Sequence, residues 1–384
     1  MAIYGVIGAD HLRRRGSSDG YHLHGGFEAP GTRQPVGKLA ASLQATSPQD
    51  EPGKRPPRVS IVLPVYNSSK ELPAALSELD KQSYKDREII IVDDGSSDDT
   101  WDAACTLCAG RSDVTLERTE HRGPAHARNT GIQLSKGDIV FFSEADCVYD
   151  ESYLGKAVAC IETENAAAVC LTGAPLVTRS TMATNCIEIE NRLQHRLLEQ
   201  RRIEPFYAWV YRRDVLLKLG GFDDRLFQAE DRDLFKRLKD AKYTVAWVPG
   251  VNWRHIRDQT TPELVKKWYN RGRTRILFLL KHKKRSEIAK SIAPFWGTVA
   301  GVLLLLWIPL LGALVLLAIL AAILLRSFQV MKITWTDVTR KRNFLGYPLF
   351  IAVRNFSTAL GYSVSLFRVG ARGQQGKELA WDTV

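Results

Sequence analysis

Val59-Ser-Ile-Val-Leu-Pro64 is a short apolar stretch that ends at a proline, and Glu88-Ile-Ile-Ile-Val-Asp93 repeats this pattern further along the chain. Stretches of this length and composition are typical of strands buried on both faces of a parallel sheet. Helical patterns separate them from each other and from further strand patterns at Val114–Glu117 and Ile139–Phe142. The alternation predicts an α/β domain with a mostly parallel central sheet and helices on both of its faces.

Polar residues directly follow three of these strands. Pro64-Val-Tyr-Asn67 ends the first, Asp93-Asp-Gly-Ser96 ends the second, and Glu144-Ala-Asp146 follows the fourth. Each segment alone is weak evidence, because Asp, Gly and Ser are also ordinary turn residues. Ligands of such sheets bind at the carboxyl ends of the strands, so the three segments together predict one binding crevice. A carboxylate pair at a strand end suits Mg²⁺ or Mn²⁺, which prefer oxygen ligands and bridge phosphates.

Residues 58–255 resemble the family 2 glycosyltransferases in six ordered motifs. The motifs are Val59-Ser-Ile-Val-Leu-Pro-Val-Tyr-Asn67, Ile91-Val-Asp-Asp-Gly-Ser-Ser-Asp98, Gly123-Pro-Ala-His-Ala-Arg-Asn-Thr-Gly131, Lys136-Gly-Asp-Ile-Val-Phe-Phe-Ser-Glu-Ala-Asp146, Gly220-Gly-Phe-Asp-Asp224 and Gln228-Ala-Glu-Asp-Arg-Asp233. The resemblance implies a GT-A fold and the inverting transfer of a sugar from a nucleotide-diphosphate sugar. A UDP-sugar is the favoured donor, with a GDP-sugar as the alternative because guanine also offers ring N–H groups to Asp94. Mn²⁺ or Mg²⁺ is the expected cofactor.

The resemblance also implies a set of nucleotide-binding residues. They are Pro64, Tyr66, Asp93, Asp94, Arg128, Asn129 and Glu144. Tyr66 is expected to lie against the nucleobase, as an aromatic face can. Asp94 is expected to accept a hydrogen bond from a base N–H, with Asp93 shaping the pocket beside it. Arg128 and Asn129 are expected to support the nucleotide or its diphosphate.

Metal-binding and catalytic residues follow from the same resemblance. Asp146 is the expected metal ligand, and His255 matches a late histidine that some members use at the metal or diphosphate. Glu144 stands where the family usually has Asp, which leaves open whether it contacts the ribose or the metal. Asp231 matches the catalytic base that removes the acceptor's proton, and Glu230 is expected to position the acceptor. Alternatively, the two acids simply favour the N-terminus of the helix they begin.

The net charge of +11 is concentrated beside an apolar segment. Residues 254–290 contain twelve Lys or Arg and three acids, whereas residues 291–325 contain no charged residue. A basic cluster next to a long apolar segment is typical of the cytoplasmic side of a membrane span, which argues against nucleic-acid binding. As a helix, residues 291–325 would extend about 52 Å, well beyond a hydrocarbon core of about 30 Å.

Pro309 and Gly312 lie near the middle of this segment, and basic residues flank both of its ends. We therefore predict a hairpin of two helices at 292–308 and 311–325, with both ends in the cytoplasm. One kinked, tilted span and a buried soluble hairpin are the alternatives. Phe344–Val369 has apolar residues at helical spacing together with Arg354, which favours an amphipathic helix in the membrane interface over a third span.

These patterns divide the chain into four parts. They predict a disordered tail at 1–57, a GT-A catalytic domain at 58–285, a transmembrane hairpin at 286–330 and an amphipathic, interfacial region at 331–384. The expected location is the inner or plasma membrane, with the catalytic domain in the cytoplasm. The expected partners are a nucleotide-sugar donor, a lipid-linked or cell-envelope glycan acceptor and membrane lipids.

Three other functions have less support. Processive polysaccharide synthases resembling this family carry a Gln-x-x-Arg-Trp motif, which Lys266-Lys-Trp-Tyr-Asn-Arg-Gly-Arg273 lacks. Sugar nucleotidylyltransferases have a glycine-rich loop after the first strand, whereas Pro64–Ser69 contains no glycine. A catalytically inactive membrane adaptor is favoured slightly by Glu144, but the retained Asp146 and Asp231 argue against it. A transferase of one sugar is the function these residues favour.

Overall fold

The computed structural model describes residues 59–176, 181–200, 208–226, 228–256, 260–334 and 346–371. The predicted tail at 1–57 lies outside these described residues. The strands are β1 (Val59–Val65), β2 (Arg87–Asp93), β3 (Val114–Arg118), β4 (Ile139–Phe142), β5 (Cys147–Tyr149), β6 (Ala168–Leu176), β7 (Val210–Arg212) and β8 (Val245–Ile256). The helices of the catalytic region are α1 (Leu72–Asp80), α2 (Thr100–Leu107), α3 (Pro124–Leu134), α4 (Tyr153–Thr163), α5 (Met182–Glu199), α6 (Arg213–Lys218) and α7 (Glu230–Asp240). Four longer helices follow: α8 (Thr261–Lys281), α9 (Arg285–Trp307), α10 (Pro309–Thr334) and α11 (Tyr347–Ala371).

The eight strands form one mixed sheet in the order β3-β2-β1-β4-β7-β6-β8-β5. Neighbours are parallel from β3 to β4 and again between β6 and β8, whereas β5 and β7 pair antiparallel to their neighbours. The predicted α/β class with a mostly parallel sheet is therefore confirmed. The sequence patterns did not predict β5, β6, β7 or β8. Strands β5 and β7 have three residues each, which are too few to show a strand period.

The core lies on both faces of the sheet. Ile61 and Leu63 of β1 pack in one buried cluster with Leu79 of α1. Val62 faces the opposite side and packs with Ile132 of α3. Alternate residues of a strand point to opposite faces, so a strand covered on both sides must be apolar at every position. This double burial explains the uninterrupted apolar stretch of β1.

Helices α9 and α10 form an antiparallel hairpin. Gly301 approaches Leu316, and a Cβ placed on Gly312 would lie 2.5 Å from the Leu305 backbone nitrogen. The connection is a single residue, Ile308, whose φ of −137° interrupts the helix. A helical hairpin rather than one kinked helix is therefore confirmed, and its position in a membrane with both ends in the cytoplasm stays a prediction. Helix α9 begins seven residues before the predicted 292, and α10 ends nine residues after the predicted 325, because both helices continue into the flanking basic residues. Each is long and apolar enough to cross a membrane.

Helix α11 packs along α8 at two glycines. A Cβ on Gly272 would lie 2.1 Å from the Thr358 carbonyl oxygen, and a Cβ on Gly361 would lie 2.1 Å from the Tyr269 carbonyl oxygen. Four large apolar residues of α11 are exposed: Leu349, Phe356, Leu360 and Phe367. The apolar residues at helical spacing in Phe344–Val369 thus include an exposed set.

Candidate active site

Asp93 holds together the loops that follow β1 and β2. Its side chain is fully buried and accepts hydrogen bonds from the Ser96 backbone N–H (3.1 Å) and hydroxyl. The Ser96 hydroxyl in turn accepts from the Asn67 N–H at 2.9 Å. Pro64 lies in β1 opposite Val92, at the base of the same two loops. Asp93 therefore shapes the two loops that line the predicted crevice.

Tyr66 and His121 form a stack of two rings next to these loops. Asp94 is buried and accepts hydrogen bonds at 2.9 Å from the Arg122 N–H, the Gly123 N–H and His121 Nδ1. The His121 ring stacks on Tyr66, with 4.1 Å between centroids and 15° between planes. A carboxylate has about four lone-pair positions, so Asp94 retains about one for a base N–H. The sequence patterns did not identify His121, because no motif spacing distinguishes it.

Four potential metal ligands converge at the other strand ends. His255 Nε2 lies 2.6 Å from Asp146 Oδ2, since the antiparallel pairing of β5 and β8 sets Cys147 opposite His255. The ligand atoms of Glu144, Asp146, Cys147 and His255 all lie within 4.8 Å of one another. Two carboxylates and an imidazole fit Mn²⁺ or Mg²⁺, whereas the soft Cys147 sulfur is a poor ligand for either ion. Cys147 was not predicted at this place.

Arg128 bridges the two acidic parts of the site. Its Nη1 lies 2.5 Å from Glu230 Oε1, and its Nη2 lies 3.6 Å from Glu144 Oε1. The guanidinium is buried between the rings of Trp209 and Phe222, each 5.5 Å away. Burial lowers the pKa of Arg128 and the two carboxylates raise it, with a net rise. Arg128 thus fixes the two glutamates relative to each other, and its predicted contact with the diphosphate stays a prediction.

Asn129 is engaged with the backbone of the Gly220-Gly-Phe-Asp-Asp224 motif. Its amide donates to the Phe222 carbonyl oxygen (2.9 Å) and accepts from the Phe222 N–H (2.8 Å). Gly221 has a φ of +67°, and a Cβ there would lie 2.4 Å from Asn129 Oδ1. This close approach explains why the motif needs glycine. The contacts of Asn129 stabilise the loop, and its predicted role toward the nucleotide stays a prediction.

Glu230 and Asp231 begin helix α7 next to this bridge. They follow Ala229, whose φ of +68° is a left-handed conformation that costs free energy for a residue with a side chain. Glu230 is buried, and burial raises its pKa to about 7 although the Arg128 cation opposes the rise. Asp231 is partly exposed and accepts a hydrogen bond from the Arg232 N–H at 2.7 Å. The arrangement suits a helix N-terminus and leaves Asp231 accessible to an acceptor.

Helix α7 is tied to α8 through a buried carboxylate. Asp233 is fully buried and receives Arg237 Nε (2.8 Å), Lys281 Nζ (2.6 Å) and His282 Nε2 (2.9 Å). Lys281 also contacts Asp223 at 2.7 Å. The helix that carries Glu230 and Asp231 is therefore fixed to the basic helix that precedes the hairpin.

Comparisons with known proteins find glycosyltransferases. Residues 60–220 match the profile of glycosyl transferase family 2. The glycosyltransferase AglE of Haloferax volcanii is 28% identical over 232 residues, which cover 57% of this chain and 73% of AglE. The UDP-Glc:alpha-D-GlcNAc-diphosphoundecaprenol beta-1,3-glucosyltransferase WfaP of Escherichia coli is 32% identical over 106 residues, covering 28% of this chain and 42% of WfaP.

A mannosyltransferase from Pyrobaculum calidifontis, solved in complex with GDP-Man and Mn²⁺, superposes with a TM-score of 0.49 at 19% identity. The superposition covers 84% of this chain and 93% of the mannosyltransferase. The family match covers β1 to β7 and helix α6, with the loops after β1, β2 and β4, and ends before α7 and β8. Residues 60–220 of this chain are thus a glycosyl transferase family 2 domain.

Proposed function

We propose that this protein transfers one sugar, with inversion, from a UDP-sugar to a hydroxyl of a lipid-linked or cell-envelope glycan acceptor. The observation that supports this most is the bridge from Glu144 through Arg128 to Glu230. It links the acidic cluster at the β4 end to the first turn of α7. A donor diphosphate and an acceptor hydroxyl bound at these two places would lie side by side.

On the donor side, the stacked pair of Tyr66 and His121 offers an aromatic surface for the nucleobase. The remaining acceptor position of Asp94 suits a base N–H, as uracil provides. Glu144, Asp146 and His255 would hold Mn²⁺ or Mg²⁺. A divalent ion bound there would neutralise charge on the departing diphosphate.

On the acceptor side, Asp231 removes the proton from the attacking hydroxyl. The hydroxyl oxygen forms a bond to the anomeric carbon while the bond from that carbon to the diphosphate oxygen breaks. The diphosphate leaves with the electron pair of the broken bond, and the proton stays on Asp231. A single displacement of this kind inverts the anomeric carbon. Glu230, held by Arg128, positions the acceptor next to Asp231.

The placement at a membrane is part of the proposal. The hairpin exposes large apolar side chains, among them Leu306 (77%), Trp307 (85%) and Leu310 (74%). Surfaces of this kind mark contact with lipid or protein rather than water. The basic residues on α8 then meet anionic headgroups on the cytoplasmic side. The name of the Escherichia coli relative specifies a UDP-sugar donor and a diphosphoundecaprenol-linked acceptor, which supports both choices for this chain.

A transfer assay tests this proposal. Full-length protein in nanodiscs is given radiolabelled UDP-Glc, UDP-GlcNAc or GDP-Man with a membrane lipid extract, and the product is analysed by NMR for its anomeric configuration. We expect transfer from a UDP-sugar with inversion. Asp231→Asn should lower kcat by about 100-fold or more and leave UDP binding unchanged. Asp240→Asn, on the exposed end of the same helix, is the matched control. Transfer by Asp231→Asn at the control's rate, or retention of configuration, would refute the mechanism.

A further inference from the structure

Arg275 of α8 is a buried cation without a counterion among the described residues. Its side chain belongs to a residue only 5% exposed, and its Nε is buried without a hydrogen-bond partner. No described carboxylate lies within ion-pair distance of its guanidinium. Arginine is almost never fully buried unless it is paired, because removing an unpaired charge from water is costly. The arrangement leaves a place for an anion that the described residues do not supply.

A second unsatisfied group lies beside Arg275. The Tyr362 hydroxyl of α11 is buried and has no hydrogen-bond partner among the described residues. Helix α11 reaches this depth because Gly272 and Gly361 let the two backbones approach closely. One guanidinium and one hydroxyl, both donors, thus lie on two closely packed helices and interact electrostatically. Charge-assisted hydrogen bonds from such donors to phosphate oxygens are among the stronger ones in proteins.

Charged residues of both signs lie around Arg275, but none of the described acids forms an ion pair with it. Burial lowers the pKa of Arg275, Arg271 lowers it further, and Tyr362, Glu287 and Asp231 raise it, with a net decrease. Glu287 is already paired with Lys284 at 3.0 Å. Asp231, the proposed base, therefore interacts electrostatically with a cation that no described acid pairs with.

The place in the fold suggests the source of the anion. Arg275 lies on the helix that Asp233 ties to the catalytic helix α7. The residues packed around Tyr362 are apolar and include Leu226 of the catalytic region and Ile288 at the start of the hairpin. The unsatisfied donors thus lie where the catalytic region meets the helices proposed to enter the membrane. A phosphate group that carries an apolar chain fits this boundary.

We propose that Arg275, with the Tyr362 hydroxyl, binds the diphosphate of a lipid-linked acceptor and so places the acceptor sugar at Asp231. This inference rests on the proposed function and specifies its acceptor class. The lipid chain runs from the diphosphate toward the hairpin, and the sugar hydroxyl points to α7. The diphosphate supplies the counterion that the described residues do not.

Calorimetry on the full chain in detergent tests this assignment, with farnesyl diphosphate, farnesol and inorganic pyrophosphate as separate probes. Wild-type protein should bind farnesyl diphosphate more tightly than either of the others. Arg275→Gln should weaken that binding by about tenfold or more, as expected for the loss of a hydrogen bond to a charged group. The same variant should bind UDP as wild type does. Lys266→Gln removes one exposed positive charge from the same helix and is the matched control.

Each other outcome has a defined meaning. Equal binding of farnesyl diphosphate by Arg275→Gln and Lys266→Gln would overturn the assignment. Loss of UDP binding in Arg275→Gln would assign the residue to the donor instead, and tight binding of pyrophosphate alone would exclude the lipid. Arg275→Met keeps the side-chain volume without the charge. It should retain the melting temperature but lose the stabilisation by farnesyl diphosphate, whereas a purely structural arginine would lower the melting temperature. Failure of UDP to bind wild type would count against the proposed function alone.

Discussion

Replacing Asp233 by Asn should loosen the catalytic helix from the basic helix α8. Asp233 is fully buried and accepts from Arg237, Lys281 and His282 at 2.6 to 2.9 Å. Asparagine keeps the size of the side chain but loses the charge and one acceptor oxygen. The free energy of unfolding should fall because three cationic or polar partners lose their common anion.

The size of the effect follows from what each partner retains. Breaking a buried ion pair costs about 3–5 kcal/mol when the remaining charge is left alone. Here Arg237 still donates to the carbonyl oxygens of Leu219 and Gly221, and Lys281 still contacts Asp223. Fewer charges are orphaned, so a loss of about 2–3 kcal/mol is expected. For a domain of about 200 residues this corresponds to a decrease of roughly 4–12 °C in melting temperature.

The assay is thermal unfolding of the full chain in one detergent, with Asp240→Asn as the control. Asp240 lies on the same helix and pairs with Lys236 at the surface, where ion pairs contribute little. Burial raises the pKa of Asp233 and its hydrogen bonds lower it, with a net value below the ordinary 3.8. The stabilisation is therefore present above about pH 4 and shrinks as the pH falls below that. Equal melting temperatures for the two variants at pH 7 would show that Asp233 does not stabilise the contact between α7 and α8.

Two further predictions concern the loop and the bridge. Gly221→Ala should destabilise the protein by about 1–3 kcal/mol more than Gly110→Ala does. Both glycines have a positive φ, but only Gly221 lies against Asn129. The melting temperatures of the two variants test this, and equal decreases would contradict the contact. Burial raises the pKa of Glu230 from 4.5 to about 7, so wild type loses stability as the pH rises between these values, whereas Glu230→Gln does not. The stability of the variant relative to wild type should therefore increase from pH 5 to pH 8, and a flat difference would contradict the raised pKa.

Local patterns were sufficient for the parallel half of the sheet. The apolar stretch at Val59–Val65 is buried on both faces, and β2 pairs with it so that Val65 lies opposite Asp93. The assignment of these two strands alone therefore predicts that their carboxyl ends lie next to each other. The hairpin of α9 and α10 was also predictable, because one continuous helix of this apolar segment would be longer than the hydrocarbon core of a membrane is thick.

Long-range contacts were not predictable in the same way. His121 stacks on Tyr66, and Cys147 joins the acidic cluster only through the antiparallel pairing of β5 and β8. These contacts depend on a loop residue and on the three-residue strand β5, which is too short to have a recognisable period. The motif containing Arg128 was visible, but its burial between Glu144 and Glu230 depends on the packing of α3 against elements far along the chain.

The proposed mechanism requires a nucleotide sugar to bind at the strand ends together with a divalent metal. Calorimetric titration of UDP and of GDP into the detergent-purified full chain, with Mn²⁺ or Mg²⁺ present, tests it most directly. We expect metal-dependent binding of UDP that Asp146→Asn abolishes, because this carboxylate is one of the four ligand groups that converge within 4.8 Å. Binding of neither nucleotide to the folded protein, or UDP binding unchanged by Asp146→Asn and by removal of the metal, would contradict the claim.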